Sequence, residues 1–126
     1  MLCVGETKTE RANKKYKLII QKQISEALKG LYENELKNII VAYEPVWAIG
    51  TGIVPNNKQI EEVANIIREE IKNEYSQTSS KNIKILYGGS VNPTNAKQFA
   101  YVQGVNGLLV GGASLKPDDF AQICNI

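Results

Sequence analysis

The sequence predicts an α/β fold in which four parallel strand–helix units form a single domain over residues 1–126. Two observations predict it. Four short apolar runs rich in β-branched residues each end at glycine or at an acid followed by proline, and amphipathic helical segments lie between them. The runs are residues 2–4, 39–43, 83–87 and 108–110. Their continuous apolar character is typical of buried strands.

The helical segments follow the strands in order. From Tyr16, apolar residues such as Ile20 and Ile24 recur on one helix face, and Gly30 marks the weakening of that helix. The next helix has the same spacing from Ile60, with Asn56 or Asn57 as its N-cap.

The remainder of the chain is less regular. Residues 76–82 are polar and predict a loop before the third strand. Two shorter helices are expected over residues 95–102 and 117–123, and Pro117 suits the start of the second. Alternating strands and helices imply parallel strands joined by right-handed crossovers.

Sequence pattern alone leaves two architectures open, an open sheet and part of a closed barrel. A complete eightfold α/β barrel needs roughly 250 residues, so a barrel formed from these 126 residues would be partial. In both architectures ligands bind at the carboxyl ends of the strands. Functional residues are therefore expected directly after each apolar run.

Composition excludes several classes of function. Fifteen basic and 13 acidic residues give a net charge of +2, too even to indicate nucleic acid or an anionic membrane as partner. Cys3 and Cys124 form no CxxC pattern, so we expect neither a disulfide nor a metal site, and the reducing cytoplasm is the expected compartment. The absence of histidine excludes a Ser-His-Asp or Cys-His nucleophile from this chain alone.

The second strand is followed by the sequence AYEPVWAIGTG, residues 42–52. Glu44 ends an apolar run, so its carboxylate is a candidate proton acceptor facing a pocket. A stiff entrance at Pro45 and a glycine-containing tip at Gly50 and Gly52 are typical of a moving lid. The alternative is an ordinary loop with a surface glutamate and a packed Trp47.

Glycine pairs follow the third and fourth strands, in YGGSVN (residues 87–92) and LVGGASL (residues 109–115). Adjacent glycines let main-chain N–H groups approach an anion, so two such loops could converge on one phosphate. Either pair could instead be a tight turn. Neither a P-loop nor a dinucleotide-binding glycine motif occurs.

Together with CVGE at residues 3–6, these three motifs resemble the triosephosphate isomerase family in order and spacing. The resemblance extends from the fifth strand of that family's barrel to its eighth helix, across essentially the whole chain. It therefore implies a partial TIM (β/α)8 barrel, a half-barrel of about four parallel strand–helix units.

The resemblance also implies roles for individual residues. Glu44 would be the base that interconverts dihydroxyacetone phosphate and glyceraldehyde 3-phosphate, without a cofactor or metal. The substrate phosphate would be held by main-chain N–H groups of Gly50, Ser90, Gly111 and Gly112. The lid would extend from Pro45 to Pro55 and include Pro45, Val46, Trp47, Ala48, Ile49, Gly50, Thr51 and Gly52.

Tyr87 and Ser90 resemble the residues that hold the closed lid, although Tyr87 could instead be a strand-end aromatic in the core. Cys3 and Glu6 are expected to be structural. Pro55 is one departure from the family pattern, because it has no N–H group to donate to the hydroxyl of a latching tyrosine.

The larger departure from the family pattern is a set of functional residues and a loop that have no counterpart in this chain. The family's asparagine and lysine after the first strand, its histidine after the fourth and its dimer loop after the third are absent. We expect a half-barrel to fold poorly alone, or to pair with an N-terminal half or with a second copy. The family forms homodimers, but without the dimer loop this chain is expected to differ.

Two functional hypotheses follow from the resemblance. One is an isomerase segment that is active only when an N-terminal half is supplied. The other is a non-catalytic phosphate-binding half-barrel or a truncated gene product. A different phosphate-binding barrel enzyme is disfavoured by the combination of Glu44 and this lid.

Overall fold

The computed structural model describes residues 1–126 and contains one sheet of four parallel strands. The strands are β1 (Leu2–Val4), β2 (Ile40–Tyr43), β3 (Lys84–Tyr87) and β4 (Gly107–Leu108). Each strand pairs with the next along the chain, in the order β1-β2-β3-β4. The register aligns Val4 with Tyr43, Tyr43 with Tyr87 and Tyr87 with Leu108, which confirms the predicted parallel α/β fold.

Six α-helices and three 3₁₀ helices connect or follow the strands. The α-helices are α1 (Lys8–Ala12), α2 (Tyr16–Leu28), α3 (Asn57–Glu74), α4 (Gln77–Asn82), α5 (Ala96–Ala100) and α6 (Pro117–Cys124). The 3₁₀ helices are Glu33–Asn38, Val46–Ala48 and Gly112–Leu115. None of the helices is both long and apolar enough to cross a lipid bilayer.

The core lies between the sheet and its helices. It contains 21 buried hydrophobic residues, among them Ile20 and Ile24 of α2 and Ile67 and Ile71 of α3. Sequential parallel strands with crossovers of one hand place their helices on the same face of the sheet. Four parallel strands in sequential order with alternating helices are the arrangement of a barrel segment, so the partial-barrel prediction is confirmed.

The other face of the sheet is only partly covered. Cys3 and Lys84 are exposed and Ile40 is 36% exposed, although Ala42 on the same face is buried. The prediction of fully buried strands is therefore wrong at these positions, because no second layer packs against this face. β1 and β4 also each keep one edge without a neighbouring strand.

The predicted polar loop over residues 76–82 is wrong, because Gln77–Asn82 form α4. The Ser76 side chain caps this helix by accepting a hydrogen bond from the Ser79 N–H, and Glu33 contacts the Ser76 and Ser79 hydroxyls. Arg68 of α3 donates to the Ser80 carbonyl. Tertiary contacts thus fix a short polar helix that has no apolar periodicity.

Other differences concern boundaries and short elements. α1, with its Thr7–Glu10 capping box, was not predicted because five residues carry no periodic signal. The fourth strand lies at Gly107–Leu108 instead of residues 108–110. Asn56 is the N-cap of α3, α2 ends before Gly30, and Pro117 begins α6 as expected.

Candidate functional site

A cavity of about 650 Å³ opens at the carboxyl ends of β2, β3 and β4. Its lining includes Glu44 and all four residues expected to hold a phosphate, namely Gly50, Ser90, Gly111 and Gly112. The loops converge because parallel strands in register end at one edge of the sheet. The structure therefore brings together residues that are up to 68 positions apart in sequence.

Glu44 directly follows β2, and its N–H donates to the Val4 carbonyl at 2.7 Å. Its side chain is half-buried, and two glycines leave space for the residue, one beside its side chain and one beside its main-chain carbonyl. A Cβ atom at Gly88 would lie 2.8 Å from Glu44 Cγ, and one at Gly5 would lie 1.9 Å from the Glu44 carbonyl oxygen. Both glycines belong to motifs that the sequence analysis singled out, but their contact with Glu44 was not predicted, since only the fold shows what faces them.

Cys3 on β1 lies beside the Glu44 carboxylate. A hydrogen bond to Glu44 and partial burial raise the pKa of the Cys3 thiol above its ordinary value. Cys3 therefore stays a neutral thiol at physiological pH and adds no negative charge beside Glu44.

Main-chain N–H groups give the cavity its donor character. Those of Gly50, Ser90, Gly111 and Gly112 donate to no acceptor within the protein. Amides whose hydrogen bonds are not used internally, on three neighbouring loops, are suited to bind the oxygens of an anion. Lys116 is the one basic side chain of the lining, and it pairs with Asp119 at 3.8 Å.

The segment from Pro45 to Pro55, which is the predicted lid, packs against the loop after β3. The Ser90 hydroxyl donates to the Ala48 carbonyl at 2.6 Å and accepts from the Gly52 N–H at 3.3 Å. Thr51 donates to the Trp47 carbonyl at 3.0 Å within the segment. Two hydrogen bonds thus join Ser90 to the segment on both sides of Gly50, while Val46 and Ile49 remain about half exposed.

Trp47, near the start of the predicted lid, donates a hydrogen bond to a buried glutamate. Oε1 of Glu6 accepts hydrogen bonds from Arg11 Nε at 2.8 Å, from the Tyr43 hydroxyl at 3.1 Å and from Trp47 Nε1 at 3.0 Å. The Glu6 side chain is fully buried, so the Arg11 guanidinium compensates its charge. Sequence reasoning missed Arg11, although a buried glutamate near β1 calls for a cation nearby.

The sequence model of the triosephosphate isomerase family matches residues 1–126. Triosephosphate isomerases of Geotalea uraniireducens and of Borrelia garinii subsp. bavariensis are each 46% identical to the chain, over 123 and 125 residues. That of Acetivibrio thermocellus is 47% identical over 123 residues. The matches cover 98–99% of this chain and 49% of each relative.

The chain belongs to the triosephosphate isomerase family. It spans about half the length of the curated relatives that it matches. Family membership confirms the resemblance of the four motifs and explains the partial barrel.

Within this half-barrel of the triosephosphate isomerase family, Tyr87 lies in the core. Its ring packs against Phe99 at a centroid distance of 4.8 Å, and its hydroxyl is buried without a hydrogen-bond partner. Pro55 is buried and has no N–H group to donate to that hydroxyl oxygen. Burial raises the pKa of Tyr87 well above its usual range.

A second cavity, of about 590 Å³, lies between α3 and α4, away from the predicted residues of the isomerase site. It is lined by polar side chains, and the Arg68 guanidinium already donates to the Ser80, Ile83 and Gly104 carbonyls. No group of three or more His, Cys, Asp or Glu side chains is placed to bind a metal ion. The candidate site is therefore the cavity that contains Glu44.

Proposed function

We propose that this chain supplies the base and the phosphate-binding loops of a triosephosphate isomerase site. The substrate is dihydroxyacetone phosphate or glyceraldehyde 3-phosphate. The Glu44 carboxylate takes a proton from the carbon that bears a hydroxyl beside the carbonyl, and a proton returns to the adjacent carbon. The carbonyl and hydroxyl exchange positions, so the reaction requires no oxidant, reductant or cofactor.

The single observation that carries the proposal is the placement of Glu44 in one cavity with four main-chain amides that have no internal acceptor. Such amides bind a phosphate without carrying a net charge of their own. A phosphate anchored by Gly50, Ser90, Gly111 and Gly112 would leave the carbon end of a triose within the same cavity as Glu44.

The segment from Pro45 to Pro55 acts in this proposal as a lid that excludes water from the reacting carbons. The hydrogen bonds of Ser90 to Ala48 and Gly52 support its role as the latch. Tyr87 as a second latch stays a prediction, since its hydroxyl reaches no lid atom in this conformation.

Catalysis also requires groups from outside this chain. The family's histidine, asparagine and lysine would have to come from an N-terminal half, and the chain has no histidine. Loss of one acid–base group typically lowers the rate by about 10²–10⁴-fold. The free edges of β1 and β4 and the partly uncovered sheet face support pairing with such a half.

A non-catalytic phosphate-binding half-barrel is the second candidate. The same four amides favour it, because phosphate binding requires only groups that this chain contains.

Two free thiols, Cys3 and Cys124, suit the reducing cytoplasm as the compartment for either function.

Complementation tests the two candidates. Triose phosphate isomerisation is measured for the chain alone, for a recombinant N-terminal half of a relative and for their mixture. We expect turnover only in the mixture, and a decrease of about 10²–10⁴-fold with Glu44→Gln. Asp119→Asn is the matched control, because Asp119 lines the same cavity without a proposed role.

The outcomes separate the candidates. A mixture that co-purifies as a complex but is inactive, while the chain binds inorganic phosphate, supports the non-catalytic half-barrel. Full activity of the mixture with Glu44→Gln would reject Glu44 as the base.

A further inference from the structure

A group of side chains outside the cavity connects the protein surface to the lid. Its centre is Arg11 of α1, whose side chain is only 15% exposed. On the inner side, Arg11 Nε donates to Glu6 and Arg11 Nη2 donates to the Tyr43 hydroxyl at 3.1 Å. Glu6 in turn accepts the indole N–H of Trp47, the third residue of the lid.

The outer side of Arg11 is enclosed by two residues from different helices. The Tyr16 ring of α2 lies under the guanidinium, with Arg11 Cζ 4.0 Å from the ring centroid. Glu62 of α3 approaches Arg11 Nη1 at 3.6 Å and accepts a hydrogen bond from the Tyr16 hydroxyl at 2.5 Å. The hydrogen bond to Glu62, aided by slight burial, raises the pKa of Tyr16, so its hydroxyl remains a donor.

We propose that Tyr16 and Glu62 are positioning residues for the lid, acting through Arg11 and Glu6 on Trp47. The guanidinium is a planar group whose orientation decides which nitrogens reach Glu6 and Tyr43. Tyr16 fixes its face and Glu62 holds its outer edge, so that Nε and Nη2 point inward.

Without the contacts to Tyr16 and Glu62, the Arg11 side chain can turn away from Glu6 into solvent. A cavity of about 310 Å³ borders both Arg11 and Trp47, so there is room for either side chain to move. If Arg11 leaves, Glu6 Oε1 retains only the Tyr43 and Trp47 donors, and its buried charge is under-compensated. The lid then loses a fixed attachment point at Trp47, and its undocked fraction increases.

The inference rests on the proposed function only in naming the segment a lid. Docking of Trp47 is measurable without turnover, because Trp47 is the only tryptophan of the chain. Acrylamide quenching of its fluorescence reports how often the indole leaves Glu6. The 126-residue chain is measured alone and in complex with an N-terminal half whose tryptophans are replaced by phenylalanine, with far-UV circular dichroism and a urea melt to record folding.

Two pairs of variants test the proposal. Glu62→Ala removes both outer contacts of Glu62, whereas Glu69→Ala removes the Lys17–Glu69 ion pair, which joins the same two helices at 3.6 Å but does not reach Arg11. Tyr16→Leu removes the ring under Arg11, whereas Tyr16→Phe keeps the ring and loses only the hydroxyl.

We expect Glu62→Ala and Tyr16→Leu to raise the undocked fraction of Trp47 by about 2- to 5-fold, the range expected for an exposed cation–π or ion-pair contact. Tyr16→Phe should give a smaller increase and Glu69→Ala none. If Tyr16→Leu does not fold, Glu62→Ala and Tyr16→Phe decide the result.

The proposal is overturned if Trp47 quenching is unchanged in Glu62→Ala and Tyr16→Phe while their melts shift, since the residues would then be structural only. An equal increase in Glu69→Ala would overturn it as well. Failed complementation with intact Trp47 responses would reject the isomerase proposal alone.

Discussion

Gly88→Ala tests how closely the candidate base is held. A Cβ atom at residue 88 would lie 2.8 Å from Glu44 Cγ and 3.2 Å from Glu44 Oε1. Ordinary contacts begin at 3.4 Å, so Glu44 Cγ must move by about 0.6 Å. The atoms in conflict belong to a half-buried side chain that can rotate, so the free energy of unfolding should change little.

Catalysis is expected to be more sensitive than stability. A misplacement of about 1 Å between reacting groups can lower a rate about 10²-fold, so we expect kcat to decrease by about 10- to 10²-fold. The assay is isomerisation by the complemented complex, with urea denaturation in parallel. Gly107→Ala is the control, since its Cβ would meet only Leu86 Cδ2 at 3.2 Å, on the neighbouring strand.

The reasoning would be refuted by wild-type turnover in Gly88→Ala, which would mean that Glu44 tolerates displacement. It would also be refuted by a loss of turnover accompanied by an equal loss in Gly107→Ala, which would indicate general damage to the sheet.

Three further predictions concern stability and are measured by urea denaturation. Tyr87→Phe removes a buried hydroxyl that has no partner, so the free energy of unfolding should stay level or rise by up to about 1 kcal/mol, and a clear decrease would point to an unseen partner. Arg11→Met leaves the fully buried Glu6 without its cation and should lower that free energy by about 3 kcal/mol, whereas a neutral result would show that Glu6 needs no cation. Burial, together with the charge of Glu6, raises the pKa of Tyr43 in the folded state, so stability should be complete below the unfolded pKa of about 10 and decline above it. Tyr43→Phe should flatten that alkaline decline, and an unchanged slope would contradict the prediction.

The regular elements were predictable because their signals are local. The spacing of Ile20, Ile24 and Ile67 marks α2 and α3, and Asn56 marks the start of α3. Short elements were not predictable in the same way. α4 carries no apolar period and exists because Arg68 and Glu33 hold it from other parts of the chain.

The same distinction between local signals and tertiary contacts applies to the candidate site. The motif around Glu44 and the two glycine pairs can be read directly from the sequence, because backbone freedom and a strand-end carboxylate are properties of residue type. The contact between Gly88 and Glu44 and the hydrogen bond between Trp47 and Glu6 join segments that are distant in the sequence. No local sequence pattern predicts these contacts.

The sequence alone thus determined the α/β class, the strand–helix order and the identity of the residues at the strand ends, since these depend on periodicity and on residue chemistry. Only the tertiary structure decided that Gly50, Ser90, Gly111 and Gly112 line the same cavity as Glu44. It also decided that the main-chain N–H groups of these four residues have no hydrogen-bond acceptor within the protein, and that Arg11 compensates Glu6. The physical reason is that convergence and charge compensation arise from the register of strands that are distant in the chain.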